Sequence, residues 1–183
     1  HRVCVETNAG VNANFVDRDY SEVGAEICYD PSEVFKADII IKVAPPSKEE
    51  IEMMSGNQTL FAALQLSVHP KNTLEMLMKK KITAIAWDFI KDEDDVYPVI
   101  RSMSEIAGIK SIGIASHYLS NLNNGRGTIL GGIAGVSPTE VVIIGAGTVG
   151  EFAAKSAIGL GASVKIFDND VYKLRRIQND LNT

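Results

Sequence analysis

Residues 141–150 read Val141-Val142-Ile143-Ile144-Gly145-Ala146-Gly147-Thr148-Val149-Gly150, and residues 163–168 read Ser163-Val164-Lys165-Ile166-Phe167-Asp168. The first stretch is an apolar strand running into glycines at the spacing G-x-G-x-x-G. The residues that follow suit a helix over 148–160, and the second stretch is another strand, closed by an acid about 20 residues after the loop. Glycines cluster in any tight turn, so the spacing alone says little. Strand, loop, helix, strand and terminal acid in this order read as a dinucleotide-binding βαβ unit.

Each position has its own physical task. Gly145 lets the strand turn sharply, Gly147 has no side chain to hold a pyrophosphate off the backbone, and Gly150 lets the helix sit close on the sheet. Ala146, Thr148 and Val149 complete the loop. Amides left without helical partners at the helix start favour an anion without needing a Lys or Arg. Asp168 is placed to accept hydrogen bonds from the adenosine ribose hydroxyls, and a 2′-phosphate would set two anions against each other, so NAD(H) is expected over NADP(H). Asn169, next to it, belongs to the same candidate set. A second reading stays open: Asp168 caps the helix that follows.

Working outward, 183 residues are enough for one large or two small domains with a real core. Hydrophobic content of 45% with 22% charged residues is that of an ordinary globular protein, and a net charge of −5 argues against nucleic acid or an anionic membrane as partner. No apolar run reaches membrane-spanning length. Cys4 and Cys28 each sit in an apolar, strand-like stretch and read as reduced core residues of a cytoplasmic protein. His1, His69 and His117 show no ligand spacing with them, so no metal site is expected.

The first hundred residues alternate strands and helices with short links, which predicts a parallel sheet. Strands are expected at residues 2–6, 25–28, 38–43, 59–64 and 83–87. Asp38-Ile39-Ile40-Ile41-Lys42-Val43 reads as a strand buried on both faces and ended by Pro45-Pro46. Ser47-Lys48-Glu49-Glu50 has the pattern of a capping box opening a helix. The acidic stretch at residues 91–95 is a solvated loop. Residues 103–119 form a helix apolar around much of its circumference, expected to be buried between two bodies. The division falls near Arg101, giving residues 1–101 and 102–183. The fold class is therefore α/β, two Rossmann-like parallel-sheet units of which the second carries the N-terminal half of a dinucleotide-binding domain. That domain class usually has about six strands, so the chain is expected to be part of a longer protein.

Several segments together resemble the alanine dehydrogenase and pyridine nucleotide transhydrogenase family. They are residues 5–10, the Ile41-Lys42-Val43 strand end with its prolines, residues 60–66, Met103-Ser104-Glu105-Ile106-Ala107-Gly108, the segment 131–136, and the fingerprint continuing to Gly159-Leu160-Gly161-Ala162. They run in family order along essentially the whole chain. The resemblance implies a substrate domain and an NAD domain facing each other across a cleft, homo-oligomeric assembly, and reversible deamination of alanine to pyruvate and ammonium with hydride passing to NAD. A transhydrogenase component with the same body, holding NAD(H) and passing hydride to a partner's NADP(H), is the alternative, as is a non-catalytic NAD-binding homologue.

Residue by residue, Lys42 resembles the lysine that holds the substrate carbonyl or carboxylate. Read without the family, it is an edge lysine reaching water. Gln65 stands where the dehydrogenases have a catalytic histidine. Its amide donates and accepts hydrogen bonds but does not titrate near neutrality, so it cannot be a general acid or base. His69 serves the cleft instead or is simply a helix-entry residue. Ser104 matches a serine near the cofactor pyrophosphate, or caps the long helix. Lys173 and Arg175 either approach the adenosine or lie on a solvated helix face. The family's carboxylate-binding arginine and catalytic aspartate correspond to segments before His1 and after Thr183, so this chain alone is expected to be inactive. The substrate is expected to be a small amino acid or 2-oxo acid.

Overall fold

The computed structural model describes residues 1–68 and 70–181. The chain divides into two compact units, His1–Ile90 and Lys91–Thr183.

In the first unit β1 (Cys4–Glu6) is followed by α1 (Asp17–Glu22), β2 (Glu26–Cys28), α2 (Pro31–Val34), β3 (Ile39–Ile41), α3 (Lys48–Met53), β4 (Thr59–Ala62), α4 (Lys71–Lys79) and β5 (Thr83–Ala86). β1 pairs with β2, and β3, β4 and β5 form a second sheet in that order, every pairing parallel. Parallel neighbours require crossovers, and the short helices supply them. Ile40 lies beside Leu60 and Ala62 beside Ala86, and these residues turn one face of the three-stranded sheet to the core. Its core joins Phe35, Ile40, Ile51, Met54, Leu60, Ala62, Leu64 and Leu77. The capping box forms as the sequence predicts: Ser47 Oγ accepts from the Glu50 amide at 3.2 Å and Glu50 Oε2 from the Ser47 amide at 2.6 Å. Buried Gln58 donates to the Phe35 and Ala37 carbonyls and accepts from the Gly56 amide, joining the link before β4 to the link before β3.

In the second unit α5 (Pro98–Leu119) leads through a loop to β6 (Glu140–Ile144), α6 (Thr148–Gly159), β7 (Ser163–Phe167) and α7 (Val171–Leu181). β6 and β7 pair in parallel, Ile143 beside Ile166. One face of this ribbon, Val141, Ile143 and Val164, packs on a core of Ile112, Leu130, Ala153 and Ala157. Helix α5 lies against α6 at Gly108, whose missing side chain brings the helices close: a Cβ there would stand 2.5 Å from the Val149 carbonyl oxygen.

Two expectations are corrected. The run around β3 is buried on one face only: Ile40 is buried, while Ile39 and Ile41 alternate outward and are exposed. Helix α5 is buried along one line, at Gly108 and Ile112, and exposes Met103, Ile106, Ile109 and Ile114. A continuous apolar sequence shows what could be covered, and only the neighbours decide how many faces are. Among the described residues no helix is long and apolar enough to cross a membrane.

Candidate functional site

In the second unit the chain leaves β6 at Ile144 and turns at Gly145, where φ is +110°. That left-handed conformation favours glycine. Gly145 donates to the Phe167 carbonyl at 2.7 Å, keeping the loop attached to the end of β7. Gly147 precedes the first residue of α6 and provides no side-chain cap, so the amides of Thr148, Val149 and Gly150 have no partner within the helix. Nothing lies within 4 Å of a Cβ built on Gly147, whereas one built on Gly150 would be 2.0 Å from the Gly145 carbonyl oxygen. The loop is thus open on the side of Gly147 and closed against itself at Gly150. Ser104, Gly145, Gly147, Thr148, Val149 and Gly150 line one open groove of about 520 Å³.

Ala146 is fully buried outside that lining, and its amide donates to Asp168 Oδ2 at 2.6 Å. The other carboxylate oxygen accepts from the Asp170 amide at 2.8 Å. The Ala146 amide first, and then that of Asp170, hold the Asp168 carboxyl below the usual carboxylate range. Asp168 is not the cap of α7. Asp170 takes that place, accepting from the amides of Tyr172 at 2.9 Å and Lys173 at 3.3 Å. Asn169 is exposed, and the Lys173 ammonium lies 4.0 Å from Asp170. Ser104 does not cap α5 either. The helix starts at Pro98, a residue suited to a first helical position, and Ser104 lies within it, half-buried.

In the first unit the candidates sit at the carboxyl edge of the β3–β4–β5 sheet, where ligands of open parallel sheets bind. Lys42 directly follows β3. Its amide donates to the Phe61 carbonyl at 2.9 Å, and its ammonium forms a largely buried ion pair with Glu50 Oε2, the oxygen that also closes the capping box. Gln65 lies beyond the end of β4 with φ at +46° and an exposed side chain. Asp88, just after β5, clamps this turn: Oδ1 accepts from the Leu64 amide at 3.1 Å and Oδ2 from the Gln65 amide at 3.0 Å. His69 lies outside the described residues.

Sequence reasoning missed three of these partners. Asp170 carried a signal, an Asp immediately before a helix. Glu50 was legible as a capping residue but not as the partner of Lys42, and Asp88 acts across more than twenty residues, with no local pattern to mark it.

Residues 1–107 match the family profile described as alanine dehydrogenase/PNT, N-terminal domain, and residues 111–183 match the corresponding C-terminal domain. The alanine dehydrogenase of Methanococcus maripaludis is 43% identical over 175 residues, covering 95% of this chain and 47% of the relative. Alanine dehydrogenase 2 of Staphylococcus aureus is 39% identical over 179 residues, covering 98% and 48%. A solved L-alanine dehydrogenase aligns at a TM-score of 0.90 with 37% identity, covering 100% of this chain and 50% of that one. A transhydrogenase from Sinorhizobium meliloti shares the fold at a TM-score of 0.80 with 22% identity, over 97% of this chain and 53% of its own. The chain spans about half the length of the curated relatives it matches. With both profiles matched in sequence order and more than half of the residues accounted for by the first alone, the chain belongs to the alanine dehydrogenase/PNT family.

Proposed function

We propose that this chain is part of an NAD-dependent oxidoreductase of the alanine dehydrogenase type, moving hydride between NAD(H) and a small amino acid or 2-oxo acid. Residues 1–101 form its substrate-type domain and residues 102–183 half of its NAD-binding domain. The observation that carries the reading is the loop of Gly145 to Gly150, open at Gly147 and ending in helix amides that lack partners. Those amides bind the diphosphate, Ser104 borders it, and Asp168 accepts from ribose hydroxyls with the lone pairs its amide partners leave free. Asn169 and Lys173 flank the adenosine. When bound, the nicotinamide supplies a two-electron hydride acceptor or donor.

On the substrate side Lys42 donates to a carbonyl or carboxylate. An ammonium has three donors, and Glu50 engages one, so the pair orients the group without exhausting it. Gln65 orients substrate without exchanging protons, and His69 remains the candidate for that exchange. Relatives named alanine dehydrogenase at 43% and 39% identity support the substrate class. Free thiols at Cys4 and Cys28 support a cytoplasmic setting, in which the protein acts as a homo-oligomer.

A second reading is favoured by one observation. A non-titrating Gln65 suits a transhydrogenase component, which holds NAD(H) and needs no substrate acid or base. The test is nicotinamide reduction by the intact protein with L-alanine, using NAD and NADP in parallel. Alanine-dependent reduction of NAD, at least about tenfold faster than of NADP, is expected from the charge conflict at Asp168. Tight NADH binding without turnover of any amino acid would favour the transhydrogenase reading. Equal use of both nucleotides would remove the role of Asp168 in selecting them.

A further inference from the structure

The loop from Gly145 to Gly150 is pinned to the end of β7 by two consecutive bonds, Gly145 N–H to the Phe167 carbonyl at 2.7 Å and Ala146 N–H to Asp168 Oδ2 at 2.6 Å. The first is ordinary strand pairing carried one residue further. The second depends on a side chain. Ala146 is fully buried, so its amide is out of reach of a diphosphate in the groove, and without Asp168 it would be a buried donor left unpaired. Gly145 and Gly147 flank it, and glycines have the widest backbone freedom, so the bond to Asp168 adds to the hold that the Gly145 amide and the close packing at Gly150 have on the turn.

We propose that Asp168 is a positioning residue for the phosphate loop: its carboxylate latches the Ala146 amide and so fixes the turn in the shape that leaves the amides of Thr148, Val149 and Gly150 facing the groove. This rests on the dinucleotide reading and adds a second task to the same residue. The geometry divides the labour: one carboxylate oxygen holds the loop, and the other anchors the Asp168 side chain to the Asp170 amide at 2.8 Å. An aspartate is ionised at neutral pH, and the two amides lower its carboxyl further, so both bonds are charge-assisted.

The test separates the latch from the ribose contact. NADH and its analogue lacking the 2′ and 3′ hydroxyls of the adenosine ribose are titrated into the full-length protein, its Asp168→Ala variant and its Asp168→Asn variant. A residue that only contacts the ribose makes no difference to the analogue. The latch predicts that Asp168→Ala weakens analogue binding by about tenfold or more, the equivalent of one charge-assisted hydrogen bond. Asp168→Asn, which keeps one accepting oxygen, is expected to fall between the two. Equal analogue affinity for wild type and Asp168→Ala would overturn the proposal. Amide hydrogen exchange in the ligand-free protein gives a readout independent of any nucleotide. Exchange at Ala146 is expected to accelerate at least about tenfold in Asp168→Ala while Ile143 in β6 stays protected, which marks a local release rather than unfolding. Unchanged exchange at Ala146 would overturn the latch. If wild-type protein bound neither nucleotide, the dinucleotide reading would fall, and the exchange rate alone would decide the latch.

Discussion

A Cβ on Gly150 would meet the Gly145 carbonyl oxygen at 2.0 Å, and one on Gly147 would meet nothing within 4 Å, so two glycines three residues apart carry different constraints. Gly150→Ala must push α6 away from the β6 turn and is expected to cost about 1–3 kcal/mol of stability in a thermal or urea melt. Gly147→Val leaves the fold intact and blocks the approach to the loop, so the melting temperature should hold while NADH binding is lost. Retained binding would place the diphosphate elsewhere. Cys28 provides a second measurement at this scale. Burial, followed by its neighbour Cys4, pushes its thiol up to about 11. Iodoacetamide at pH 8 should therefore modify Cys4 well before Cys28, and equal rates would contradict the burial. A thiol held neutral in the fold leaves stability unchanged below its ordinary value of about 8.5, and stability falls as pH rises from there toward about 11. At this scale the sequence disclosed the glycines, because their backbone needs are local. It did not disclose what Asp88 or the Ala146 amide does, because hydrogen bonds between distant loops leave no periodic trace.

The contact of α5 with α6 offers an internal control. Gly108 faces α6, where a Cβ would stand 2.5 Å from the Val149 carbonyl oxygen, 2.8 Å from the Phe152 Cβ and 2.9 Å from the Ala153 amide nitrogen. Gly113 lies on the same helix with open space around it. Alanine improves helix propensity at either position by about 1 kcal/mol. Gly113→Ala should therefore stabilise by up to about that amount. Gly108→Ala should destabilise by about 1–3 kcal/mol, since rigid backbone on the partner helix cannot give way. Destabilisation at both positions, read from denaturation curves, would mean that something covers Gly113. The elements themselves are largely legible: alternation and capping chemistry mark the strands and the helix after Ser47, while α5 starts at Pro98, ahead of the apolar pattern that begins at residue 103, because proline suits a first helical turn. The expected strand over residues 59–64 ends at Ala62, and it is the turn after it, not the strand, that carries Gln65.

At the scale of the whole chain, apolar side chains remain uncovered on both units: Ile41 at the end of β3 and Val43 just past it, and Val142, Ile144 and Phe167 on the outer face of the β6–β7 ribbon. Apolar positions that alternate along a strand, as Val142 and Ile144 do, are the pattern of a surface meant to be buried. The 183-residue chain studied alone is expected to self-associate at micromolar concentration in sedimentation velocity, with association that survives high salt. A monomer throughout that range would show that these residues are tolerated in water. The parallel topology has one more consequence. β1 reaches β2, β3 reaches β4, β4 reaches β5, and β6 reaches β7, each partner about twenty residues downstream and inside the same compact unit. During synthesis on the ribosome the N-terminal unit can therefore complete its ladders before residue 140 is polymerised, so folding can proceed vectorially, in two separate episodes.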